Sequence, residues 1–195
     1  MRIALALLVM SSATARADAK IDWAAGLVTA EGVGIADRHA PSPAVARGTS
    51  RRGAEEAARK LLVAKLATLP LAAGGTVGDR MKEVPKSVID SAYAIAADPD
   101  TDGSWRVTMA VPIEAVRLAL DKPRALPAAG DTGPAVLIVD GAKAAPAIGY
   151  LEGATIFVDQ VPAWAKDAPH AVGTLDKGAI AVSGGSPATL YIIVR

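Results

Sequence analysis

The chain has 195 residues, 21 basic and 20 acidic, for a formal net charge of +1, and no cysteine. The charge balance excludes the basic excess of an ordinary nucleic-acid binder. The missing cysteine excludes disulfides, thiol catalysis, cysteine metal sites and the lipidated cysteine of a bacterial lipoprotein.

Residues 1–19 have the three parts of a secretory leader. Arg2 supplies the positive start, and Ile3 to Met10 form an eight-residue apolar run. Two overlapping A-x-A sites follow, Ala15-Arg16-Ala17 and Ala17-Asp18-Ala19. The apolar run is far shorter than the roughly 20 residues of a membrane span, and no later run approaches that length. The expectation is an exported protein of the periplasm or outer envelope, starting near Asp18 or Lys20, with no transmembrane span. Removing Arg2, Arg16 and Asp18 with the leader leaves the charges balanced.

Residues 26–36 read as a strand with one small face, Val28, Ala30, Gly32, Gly34 and Ala36. Such a face accepts a closely packed element. Residues 50–69 are the clearest helix, with a start that extends back toward Pro43-Ala44. Ala54, Ala57, Ala58, Leu61, Leu62 and Leu66 recur at helical spacing, and charged residues cover the other side. Gly74-Gly75 marks a loop. Residues 87–97 read as extended and 104–112 as a strand, Trp105, Val107, Met109 and Val111 alternating with Arg106, Thr108 and Ala110. Together they form a hairpin closed by residues 98–103. Residues 113–121 read as a short helix. Pro123, Pro127, Gly130 and Gly133 mark a boundary. In the tail, 136–139, 155–158, 179–182 and 190–194 are short apolar runs separated by Gly, Pro and Asp.

The expected class is α+β: a long helix packed on a small antiparallel sheet, followed by a β-rich carboxy-terminal region. The expected organisation is a leader over 1–19, an α+β domain over 20–125 and a β-rich extension or small second domain over 126–195. With Phe157 as the one phenylalanine, the core is built from Val, Ile, Leu and Ala.

One segment carries a metal motif. Asp98-Pro99-Asp100-Thr101-Asp102-Gly103 fits the opening D-x-D-x-D-G of a calcium loop, in which carboxylates converge on the ion and glycine permits the turn. The ninth position is Arg106 and the twelfth Met109, where a bidentate acid belongs, and a strand follows instead of a helix. A polar hairpin turn is the plain reading. A weak calcium site on Asp98, Asp100 and Asp102 is the alternative.

His39 and His170 stand at no metal-ligand spacing. No G-x-S-x-G elbow occurs, and Ser183-Gly184-Gly185-Ser186 reads as a turn. Gly32-Val33-Gly34 lacks the third glycine of a dinucleotide loop. The basic stripe of Arg47, Arg51, Arg52, Arg59, Lys60 and Lys65 is interleaved with Glu55 and Glu56, as on a solvated helix face. A hydrolase with a dispersed site would need a pocket around His39 or His170 with nearby carboxylates.

Three segments together carry a resemblance. The strand Glu31-Gly32-Val33-Gly34-Ile35-Ala36 precedes Arg51-Arg52-Gly53-Ala54-Glu55-Glu56-Ala57-Ala58-Arg59, and Asp102-Gly103 with Trp105 to Pro112 follows. Over about residues 25–121 this resembles the bacterial lipoprotein-20 family, which includes the amino-terminal part of a flagellar assembly protein. The resemblance implies a helix laid across a small antiparallel sheet, and it carries no catalytic residues. The tail is similar to a segment that follows that domain in envelope relatives. Its matching pieces are Val136 to Gly141 and Ala145 to Ile148, and 178–184 with 186–190 resemble the closing hairpin of those relatives. The chain departs from the family in lacking the lipidated cysteine.

The functional expectation is a non-catalytic cell-envelope protein, a structural or protein-interaction module that binds an envelope partner or self-associates. A place in the assembly of surface or flagellar machinery is implied by the resemblance alone. The alternative is a calcium- or ligand-binding envelope module that uses the 98–103 loop.

Overall fold

The structure is a computed structural model that describes residues 18–121 and 133–195. Most of the leader, and the Pro/Gly segment 122–132, fall outside the described residues. The fold is α+β, with a helix packed on an antiparallel sheet and further strands after it.

The first sheet has strands β1 (Ala19–Asp22), β2 (Leu27–Gly34), β3 (Tyr93–Pro99) and β4 (Trp105–Pro112), in the order β1-β2-β4-β3. Its pairings are all antiparallel. Val28, Ala30, Gly32 and Gly34 of β2 are buried on one face, as are Val107, Met109 and Val111 of β4. Helix α1 (Pro43–Ala67) covers that face with Ser50, Ala54, Ala58, Leu62 and Leu66, every fourth residue. Ser42 caps its start by accepting from the Val45 N–H, and Pro43 occupies the first helical turn. The structure thus extends the helix back to the earlier of the two expected starts.

After α1 the chain makes two short helices, α2 (Val77–Arg80) and α3 (Lys86–Asp90). The second corrects the sequence reading, which has residues 87–97 extended. Pro85, with φ −59°, sets the entry to a helical turn. Val88 drops into the core, and the Ser91 hydroxyl donates to the Val88 carbonyl at 2.6 Å. Only from Tyr93 is the chain a strand. The β3–β4 hairpin forms as expected, with an irregularity of register between Ala94 and Ala96. Helix α4 (Ile113–Asp121) follows β4 directly.

The tail forms β5 (Val136–Asp140), β6 (Thr155–Val158), a 3-10 turn (Ala163–Ala165), β7 (His170–Val172), β8 (Thr174–Asp176), β9 (Ala179–Ala181) and β10 (Leu190–Val194). The expected apolar runs all become strands, but their pairing differs from what the resemblance implies. β9 pairs with β8, while β10 lies between β5 and β6, parallel to both. No β9–β10 hairpin exists. The physical reason lies in the unbroken apolar runs, which suit strands buried on both faces of a parallel sheet. Leu137, Val139, Phe157, Tyr191 and Ile193 fill one side, and Ile138, Ile156, Val158 and Ile192 the other.

The tail packs on the first unit. The Phe157 N–H donates to the Trp23 carbonyl at 3.0 Å, and the two rings meet edge to face at 5.7 Å. Ala72 donates to Ile148, and Ile148 to Pro70, at 2.8 and 3.0 Å.

Candidate functional site

The 98–103 loop is held by the protein's own groups. Asp98 stands opposite Arg106 in the ladder, and Arg106 pairs with Glu31 at 3.4 Å. Asp100 accepts from the Thr101 N–H at 2.7 Å. Asp102 accepts from the Ser104 N–H at 2.9 Å, and Ser104 holds its carboxyl below the usual range. The loop is clamped from outside as well. The Ser50 hydroxyl of α1 donates to the Gly103 carbonyl at 2.8 Å, and the Ala36 N–H donates to the Ser104 hydroxyl at 3.3 Å. Among the described residues, no three His, Cys, Asp or Glu side chains are grouped to hold a metal ion.

The histidines lie on different units. His39 is exposed beside Asp37, to whose carboxylate its N–H donates. His170 of β7 sits with Nδ1 2.8 Å from Asp140 of β5, the side chains 53% and 47% exposed. That pair has the orientation of a base and its orienting acid. Among the described residues no hydroxyl bonds to His170. Ser186 is committed elsewhere, in a buried turn with Thr189, whose hydroxyl donates to the Pro134 carbonyl.

The basic stripe is partly consumed by the fold. Arg51 pairs with Glu55 at 3.4 Å and lies 5.3 Å over the Trp105 ring. The Arg52 guanidinium donates to the Gly48 carbonyl of the preceding helical turn.

A shallow crevice, with room for no more than about 10 Å³ of solvent, lies where α4 meets the tail, lined by Trp23, Ile113, Glu114, Arg117, Ile148 and Thr155. Arg117 is only 8% exposed. Glu114 grips it bidentately at 2.6 and 2.8 Å, and Asp121 adds a bond of 3.2 Å. The Glu114 bonds push the guanidinium pKa up. Two acids on one base leave Arg117 as an anchor for α4 and no free charge for a ligand.

One feature escapes sequence reasoning. β3 is one of the two outer strands of its sheet, β1 being the other, and Tyr93 and Ile95 on β3 are 46% and 50% exposed. The apolar character of 93–97 is visible in the sequence, but its edge position depends on the pairing order. A strand edge that offers backbone donors and acceptors beside apolar side chains is a ready surface for a further strand.

No family model matches the chain, and neither a curated protein nor a solved structure matches it. The lipoprotein-20 resemblance is carried by its quoted motifs alone.

Proposed function

We propose that this chain is an exported, non-catalytic cell-envelope protein that acts as a protein-interaction module, with the outer edge of β3 as its contact surface. The observation that carries the reading is the pairing of an outer strand with exposed Tyr93 and Ile95. The leader pattern supports export, and the balanced charge argues against a polyanion partner. The His170–Asp140 pair, the Asp loop and Arg117 are each accounted for by contacts within the fold. Partner pairing is one of the ways proteins manage a free edge. Assembly of surface or flagellar machinery is the setting that the lipoprotein-20 resemblance suggests.

Affinity capture of the mature protein from an envelope extract, after mild crosslinking, tests this. The edge variant Ile95→Lys is the comparison, because an edge lysine blocks strand addition. A reproducible partner, or a second copy of the chain, held by the native protein and lost from the variant supports the reading. Equal capture by both, with equal melting temperatures, overturns the β3 assignment.

A further inference from the structure

We propose that the β3 edge takes a second copy of this chain, which pairs antiparallel with it about a two-fold axis between Ile95 and Ala96. The inference rests on the reading of β3 as the contact surface and names the partner that fits that edge.

The ladder fixes which backbone groups are free to pair. The Asp100 N–H donates to the Ser104 carbonyl at 2.8 Å where the hairpin closes. Alternation from there turns Asp98, Ala96 and Tyr93 toward β4, opposite Arg106, Thr108 and Ala110. Ala94 and Ala97, opposite Met109 and Val107, turn their N–H and C=O groups outward. Ile95 is the extra residue at the register shift, so these two outward residues stand three apart. An ordinary strand presents its outward groups at every second residue. It meets Ala94 or Ala97 in register, but not both. A second β3 has the same spacing, so Ala94 pairs with Ala97 of the second copy and Ala97 with its Ala94.

Other registers fail. Pro99 has no N–H to give, and the Ala92 N–H is already bound to the Ile89 carbonyl, so pairing ends on both sides of 93–98. Ala97 against Ala97 brings the two Asp98 carboxylates to diagonal positions, where like charges repel. Ala94 against Ala94 runs Ala97 and Asp98 onto Ser91 and Asp90, outside the strand where α3 ends. The remaining register sets Tyr93 opposite Asp98 of the second copy. Both side chains lie on the face away from α1, as their partners Ala110 and Arg106 do, and the phenol donates to the carboxylate once on each side of the axis. Asp98 is the one charged residue of β3, and its two copies fall at opposite ends of the paired segment. Exposed Ile95 and Ala96 meet at the axis. The contact joins two four-stranded sheets into one.

The chain has no cysteine, so engineered thiols report the register directly. Ala94→Cys and Ala97→Cys are made separately in the full chain and oxidised alone and as an equal mixture. In a hydrogen-bonded pair the α-carbons stand about 5.5 Å apart, within reach of a disulfide. A linked dimer is expected in the mixture and from neither variant alone. Ile95→Lys added to both, which sets two ammonium groups at the axis, should abolish it. An edge contact of this size is weak, so sedimentation of the native chain is followed up to about 1 mM, where a shift toward the dimer is expected. A mixture without the linked dimer, a dimer formed equally by each variant alone, or one that Ile95→Lys leaves unchanged overturns the proposal. If the native chain also stays monomeric but captures a different envelope protein that Ile95→Lys loses, the second copy is overturned and the reading of β3 as contact surface stands. Loss of both the dimer and the capture overturns both.

Discussion

Gly34 of β2 faces Ser50 of α1 so closely that a methyl group on Gly34 would overlap the Ser50 carbonyl oxygen and lie 2.6 Å from the Ala54 nitrogen. Two residues earlier, a methyl on Gly32 would overlap the Ala54 carbonyl in the same way. The helix rests directly on the strand backbone at these points. Glycine is needed for its missing side chain, since neither position has positive φ.

Gly34→Ala and Gly32→Ala should therefore each destabilise the protein by about 3 kcal/mol or more, because backbone has to move. At this size that lowers the melting temperature by roughly 6–12 °C. Gly48→Ala is the control. It lies in α1, nothing approaches its absent β-carbon within 4 Å, and it should gain about 0.5–1 kcal/mol. Thermal melts of the three variants check both signs.

The junction between the first unit and the tail includes the Trp23–Phe157 ring contact beside the Ile148 backbone bonds. Phe157 is fully buried, and Phe157→Ala should cost about 3–5 kcal/mol. A double-mutant cycle with Trp23→Ala should return a coupling of about 0.5–1.5 kcal/mol, the size expected for an edge-to-face pair. Denaturant titrations of the four proteins give the cycle. A coupling of zero would mean that the ring contact contributes nothing to the junction.

The first unit was largely legible in the sequence. Alternation gave the strand 26–36 its small face, and helical spacing, with a start reaching back toward Pro43-Ala44, gave α1; the Ser42 cap emerged only from the structure. Turn chemistry at 98–103 gave the hairpin. The misread helix α3 is a local failure at Pro85, whereas the misread hairpin of the tail arises because pairing is not local. Leu190 to Val194 reads the same whether it closes a hairpin or enters a parallel sheet, and only the positions of β5 and β6 decide. β7 and β8 are three residues each and mostly exposed, so they lack an apolar signature. The candidate surface is half legible: Tyr93 and Ile95 are visible as apolar residues, but nothing local makes their strand an edge strand.

Acid stability should depend on the first turn of α2. Thr76 donates its hydroxyl and its N–H to the Asp79 carboxylate at 2.8 and 2.7 Å, and these bonds hold the Asp79 pKa below the ordinary carboxylate value. A carboxyl depressed in the folded state contributes stability above its unfolded pKa, near 4, and loses it as pH falls through the lower folded value. Asp79→Asn should thus lower the melting temperature at pH 7 and flatten its decline below about pH 4. Melts across pH 2–7 compare the two slopes.

Calcium should leave the melting temperature unchanged within about a degree at millimolar concentration. Asp100 and Asp102 already serve the turn, and Asp98 stands opposite Arg106. A site with a Kd well below the added calcium would add stability in proportion to the logarithm of their ratio. A rise of several degrees, abolished by Asp100→Asn with Asp102→Asn, would restore the ion site.

The central claim is that β3 is the face by which this protein meets another. A photo-crosslinking residue placed at Ile95, and for comparison at Glu56 on the outer side of α1, measures this in intact exporting cells. The prediction is a discrete protein adduct, or a covalent dimer of the chain, from position 95 and none from 56. Adducts absent at 95, or equal at both positions, would contradict it.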